Sequence, residues 1–231
     1  MSKAILISIK PKYVKSILSG EKIVELRKIM PQCDMDDGIY VYIYCTKSGK
    51  TVFNTENISF EPNCGKMQGY KKHPQRCNGK VIGKFRLNRV YRIKTNVQYV
   101  NEDYGGYYLE NNEIASDEMA DNVKHTCVED LLERTTQLTM EQIAEYSNGG
   151  QVLYGWRIDD LQIFDKPEPL HEFYAYNPLL DGDSPSNAYN DTVGDEYELA
   201  YECLPQAAYA YGIEPIKRPP QSWQYIVVED E

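Results

Sequence analysis

Hydrophobic and polar positions change their period several times along this chain, and each change marks an element. "AILISI", Ala4–Ile9, is a short isoleucine-rich apolar run, the composition of a buried strand. Pro11 follows, well placed for a first helical turn, and Tyr13, Val14, Ile17 and Leu18 then fall on one face at helical spacing. Gly20 stands where a left-handed C-terminal cap is expected. From Lys22 the period becomes two. Val24 and Leu26 form a core-facing row, and Glu25 and Arg27 project together from the opposite side, about 7 Å apart along the strand. Lys22 stands at the mouth of this strand, where the glycine turn leaves it free to swing to either side.

"GIYVYIYCTK", Gly38–Lys47, is the clearest strand, with Tyr40, Tyr42 and Tyr44 on one face and Val41, Ile43 and Cys45 on the other. "GKVIGKFRLNRVYRI", Gly79–Ile93, reads as one long strand in which Gly83 marks a bulge or bend, and Lys84 and Arg86 share a basic face. Residues 48–79 are too long a connection to be a simple loop, so a structured insertion with an exposed basic knot around "KMQGYKKHPQRC" is expected. "NEDYGGYYLENN" suits a loop or an exposed hairpin. "TCVE" and "TMEQ" fit capping boxes that open helices, and "NGG" ends the second helix. "QVLYGWRIDDLQIF", Gln151–Phe164, returns to strand composition, and "RPPQSWQYIVVED" reads as a final strand returning to the sheet. Between them, Asp181–Glu202 carries seven acidic residues and no Lys or Arg, the composition of a mobile or weakly structured excursion.

The simplest closure of this order is an α+β fold, a small mixed β-barrel with flanking helices and long insertions. Residues 1–169 would hold the barrel, with the insertion at 48–79. Residues 170–231 would hold the acidic excursion and the returning strand. A chain of 231 residues is long enough to bury a full core.

Charge changes the picture more than length does. Residues 1–94 carry 19 Lys and Arg against 7 Asp and Glu, whereas residues 95–231 carry 6 against 28. Such asymmetry suits a basic surface for phosphate or nucleic acid, with an acidic portion that screens it or meets a basic protein partner; solubility alone is the plainer account. No apolar run approaches the roughly 18 residues of a membrane span, and the N-terminus has no signal-like apolar stretch. The chain reads as cytoplasmic, with no membrane partner. Its six cysteines are widely spread, as expected of thiols in a reducing compartment.

Lys22, Glu25 and Arg27 make chemical sense as a pocket. Arg27 can hold a phosphate or carboxylate with two prongs, Lys22 supplies a point charge, and Glu25 can accept from an exocyclic amine or act as a general base. The plainer reading is a Glu–Arg pair on an exposed strand, which contributes little. Cys64, His73 and Cys77 form C-x8-H-x3-C, which Cys33 or Cys45 could complete as a zinc site that would shape the insertion, but no C-x2-C pair accompanies them, so unligated thiols, no metal and no other cofactor are the expectation. Trp156, Trp223 and the tyrosines of 40–44 are stacking candidates or core, Trp223 being the better candidate because Pro219 and Pro220 stiffen its approach. His73, His125 and His171 adjoin no nucleophile motif, and no phosphate loop is present.

"SGEKIVELRK" resembles the GxKxxExR motif of the ASCH superfamily of PUA-like β-barrels, with Gly20, Lys22, Glu25 and Arg27 in register. "ILISIKPKYVKSIL", "YIYCTK" and "GKVIGKFRLNRV" are similar to the first strand and helix and the next strands of that family, and "LYGWRIDDLQIFDKP" and "RPPQSWQYI" to segments of larger phage and prophage members. The resemblance implies a cleft lined by this motif that takes RNA or a nucleotide-like molecule, such as a modified nucleoside; Lys10 is expected to line it with Lys22, Glu25 and Arg27, and Tyr44 and Trp223 to contribute stacking faces. Some members resemble hydrolases, an amidohydrolase of acetylcytidine and a ribonuclease among them. Lys22 matches the amidohydrolase lysine, but Glu25 stands where its catalytic threonine would be. Lys22 and Glu25 would be acid and base if this chain were an enzyme. A third expectation is a phage-encoded protein whose acidic second half engages a basic partner.

Overall fold

The structure is a computed structural model and describes residues 1–32, 38–54, 75–95, 107–109, 128–148, 152–177 and 204–229. The chain forms two compact units, neither continuous in sequence: residues 1–11, 39–85 and 162–231 make the first, and residues 12–38 and 86–161 the second.

Strand β1 (Ser2–Ile9) organises the first unit. It pairs parallel with β3 (Ile39–Cys45), Ile5 opposite Val41, and antiparallel with β12 (Trp223–Val228), Ser2 opposite Val228. The final stretch therefore does return to the sheet. With β6 (Lys80–Leu87), β10 (Asp159–Pro169) and β11 (Tyr174–Ala175), the described strands form a six-stranded sheet in the order β10-β6-β3-β1-β12-β11. The fold is α+β with a mixed sheet, as expected, and this sheet ends at β10 and β11 instead of closing into a barrel.

Strand β1 is apolar at consecutive positions because both of its faces are covered. Ala4 and Leu6 join Tyr42, Tyr44, Val81, Phe173 and Ile226 in one cluster, while Val227 packs with Leu204, Ala207 and Ala208 of the helix Leu204–Ala210 in another. Gly83 permits a close approach within the sheet: a Cβ there would lie 2.3 Å from the carbonyl oxygen of Gln162.

The insertion is fastened at its base by a short ladder between β4 (Phe53–Asn54) and β5 (Gln75–Arg76). Asn78 adds two hydrogen bonds, its Oδ1 accepting from Val52 N–H and its Nδ2 donating to Lys50 O. Cys64, His73 and most of the basic knot lie outside the described residues, as do Thr126 of the first capping box and the acidic stretch 181–202.

In the second unit the described strands form a four-stranded sheet, β2 (Val24–Arg27), β9 (Leu153–Arg157), β7 (Val90–Thr95) and β8 (Tyr107–Leu109), in that order. β7 and β8 are antiparallel, Ile93 opposite Leu109, so three residues of the polar stretch, Tyr107–Leu109, form a strand of this sheet. One face of the sheet buries Val24, Leu26, Tyr91, Ile93 and Leu153 against Leu132 of helix α2 (Val128–Thr136) and Ile143 of helix α3 (Met140–Ser147). Thr139 and Gln142 form the capping box expected for α3, and Asn148 ends it in the left-handed conformation, φ 53°.

Two long strands read from the sequence are each two strands. Residues 79–93 break at Asn88 and Arg89, with β6 and β7 in different sheets. Residues 151–164 break at Ile158, and Asp160 next to it adopts φ 47°. Lys84 does not join a basic surface. It is 3% exposed, with its ammonium 4.5 Å from the centre of the Tyr40 ring and 5.7 Å from that of Tyr42, inside the first unit. Among the described residues no helix is long and apolar enough to cross a membrane.

Candidate functional site

The charged motif is built by a turn. The helix Pro11–Leu18 ends at Gly20, whose φ of 75° is open to glycine at little strain, and Lys22 N–H then donates to Ser16 O at 3.0 Å. The next residue is pinned from afar: Ile23 N–H donates to Thr135 O, and Ile158 N–H donates to Ile23 O. The strand therefore begins at Val24, and Lys22 sits in the turn before it.

Lys22 does not swing free, contrary to expectation. Its ammonium donates to Thr136 O at 2.7 Å and to Val24 O at 2.9 Å, and pairs with Glu25 Oε2 at 3.2 Å. Three acceptors thus meet its three N–H donors. Thr136 closes helix α2, so the cation also sits at the negative end of that helix. The other carboxylate oxygen, Glu25 Oε1, pairs with Arg27 Nη2 at 3.0 Å. Glu25 is therefore clasped between two cations.

The three residues are buried, with side chains only 2%, 11% and 8% exposed for Lys22, Glu25 and Arg27. This is not the solvated face of a strand. Burial pushes the Lys22 ammonium below its ordinary value; Glu25 pulls it partly back, and Arg27 adds to the lowering. Two cations thus share one carboxylate away from water.

Aromatic rings line this cluster. Lys22 Nζ lies 5.3 Å from the centre of the Tyr13 ring. Trp156 stands directly opposite Glu25 across the ladder, and Tyr154 directly opposite Arg27. Tyr146 is raised above its ordinary value by burial, with Arg27 opposing and Glu25 reinforcing the shift. Gly155, between Trp156 and Tyr154, faces the core, where a Cβ would meet Val24 Cγ1 at 3.0 Å.

Of the residues expected to line a site, Lys22, Glu25 and Arg27 come together in the second unit. Lys10, Tyr44 and Trp223 belong to the first. Lys10 is exposed there, and Tyr44 is 2% exposed with its ring in the core cluster. Trp223 is half-buried, edge-on to Tyr225 at 5.2 Å between ring centres. Ser8 Oγ–H donates to Pro220 O and Ser8 N–H to Ser222 O, which fastens the approach to Trp223. Trp156 is fully buried.

Cys45 and Cys77 are buried thiols, which burial raises to about 12 and about 11 respectively. Sequence reasoning missed Tyr13, Thr136, Tyr146 and Tyr154. Only Tyr154 was signalled, by its period-two relation to Trp156 in "LYGWR"; the partnership with Thr136 crosses 114 residues.

No family model matches the chain, and no curated protein matches it. Crystal structures of an ASCH protein from Zymomonas mobilis are similar to it. A Tyr-to-Phe variant is 18% identical, with 73% of this chain and 77% of that one covered and a TM-score of 0.39. A Ser-to-Ala variant is 15% identical, with 96% and 87% covered and a TM-score of 0.43. A further structure, of ASCH from the same organism, is 16% identical, with 96% and 86% covered and a TM-score of 0.42. That is the family which Gly20, Lys22, Glu25 and Arg27 resemble. With TM-scores below 0.5, the chemistry of the site rests on this chain's own residues.

Proposed function

We propose that this protein is a nucleotide-binding or RNA-binding module whose recognition centre is Lys22, Glu25 and Arg27. The observation that carries the reading is the buried cluster itself: two cations share one carboxylate, among aromatic rings. Such a centre favours an anion that also has a flat face, and a nucleotide supplies both. Arg27 is the member suited to a phosphate, because guanidinium presents a planar fork of donors. Lys22 holds Glu25, and Glu25 aims Arg27.

The same geometry favours recognition over hydrolysis. Both oxygens of Glu25 accept from cations, and the three donors of Lys22 have acceptors within the fold. A general base needs a lone pair directed at substrate, and a general acid a proton so directed.

Calorimetric titration with AMP and with short single-stranded oligoribonucleotides, at two salt concentrations, tests the proposal. Binding that weakens as salt rises, and that Arg27→Gln reduces while circular dichroism stays unchanged, is the expected result. Absence of binding to every one of these probes at low salt overturns it.

A further inference from the structure

The face that carries Glu25 and Arg27 continues across the second unit's sheet. Arg27 on β2 stands directly opposite Tyr154 on β9, and Tyr154 stands directly opposite Arg92 on β7. Directly opposed residues of antiparallel strands share one face, with Cβ atoms about 4.5–5.5 Å apart. A single tyrosine is thus flanked by an arginine on either side, across three neighbouring strands.

The row is graded in exposure: Arg27 is buried, Tyr154 half-buried and Arg92 exposed. Its neighbour on the same face, Glu25–Trp156–Val90, has a fully buried ring at its centre. The face is therefore closed at Trp156 and opens toward Arg92. Tyr154 is set on a rigid strand, since Gly155 beside it fits against Val24, Ile93 and Tyr91 with no room to spare.

We infer that Arg27, Tyr154 and Arg92 form a nucleotide subsite, in which a base stacks on the Tyr154 ring and Arg92 joins Arg27 in holding the phosphate. This rests on the nucleotide reading above. Every base has a π-face, so the ring gives affinity with little base preference, and an exposed guanidinium at the open end meets a phosphate that remains partly in water. A row that only stabilised the sheet would change folding stability and leave ligand affinity alone.

The test compares AMP with ribose 5-phosphate, which has the phosphate and no base. Tyr154→Leu is expected to weaken AMP roughly tenfold and to leave ribose 5-phosphate unchanged, while Tyr154→Phe, which keeps the ring, binds as the wild type does. Arg92→Gln is expected to weaken both ligands by a similar factor. If the wild-type protein binds AMP and Tyr154→Leu binds it equally well, or loses both ligands to the same extent, the subsite falls and the nucleotide reading stands. If the wild-type protein binds neither AMP nor an oligoribonucleotide, both fall together.

Discussion

Glu25 holds two cations, and that sets its weight in the fold. Glu25→Ala leaves Lys22 and Arg27 facing each other in a buried place, and breaking a buried pair from one side costs about 3–5 kcal/mol. Lys22→Met leaves a balanced Glu25–Arg27 pair and relieves the burial of an ammonium, but strands Thr136 O and Val24 O; unsatisfied acceptors cost about 1–3 kcal/mol. Urea unfolding should therefore rank Glu25→Ala as the more destabilised variant. The reverse order would show that the carboxylate is not what holds the cluster. The sequence displayed the three charges and their alternation, but not their burial, because the acceptor for Lys22 comes from a helix end far along the chain. It could equally have described a solvated strand.

Elements read best where one residue type dominated. The isoleucine run of β1, the glycine-terminated helix Pro11–Leu18, the tyrosine strand β3 and the capping box of α3 were all legible, since each depends on neighbours in sequence. The breaks at Asn88–Arg89 and Ile158 were not, because neither holds Gly or Pro and the positive φ falls to Asp160. Gly83, read as a bulge or bend, admits the backbone of Gln162. Gly83→Ala would force a Cβ to 2.3 Å from a carbonyl oxygen, whereas Gly155→Ala meets a side-chain methyl at 3.0 Å that can shift. Overpacking costs typically about 1–3 kcal/mol, and Gly83→Ala is expected at or above the upper end, Gly155→Ala at the lower. Thermal melts of the two variants check the order; a Gly83→Ala protein as stable as wild type would mean that β6 and β10 can part without loss.

For the whole molecule, the division of charge along the sequence does not survive folding. The second unit carries 12 Lys and Arg against 19 Asp and Glu, and the first 13 against 16, because each takes segments from both halves of the chain. Both units are net acidic, so the anion binding proposed for Lys22, Glu25 and Arg27 would draw on the charges of that cluster itself. Alkaline stability also sums groups from both units. Cys45 and Cys77 are raised from 9.0 to about 12 and about 11, so the folded chain keeps protons that the unfolded chain has released. Their contribution is complete below pH 9 and is lost as pH rises through those values. Lys22 acts oppositely: its value is lowered from 10.5, so its contribution increases with pH up to that point. The advantage of wild type over Cys45→Ala in urea midpoint should therefore shrink from pH 9 upward; a constant advantage would contradict the protonated thiol.

The pairing of Ser2 with Val228 has a consequence for synthesis. During synthesis β1 and β3 emerge close together and can pair early, but β12, the antiparallel neighbour on the other side of β1, follows far later in the chain. Until Trp223–Val228 is released, one edge of β1 stays bare, a template for pairing with another nascent copy. Nascent chains arrested ahead of residue 223 should accordingly be digested by protease where chains that include Trp223–Val228 resist.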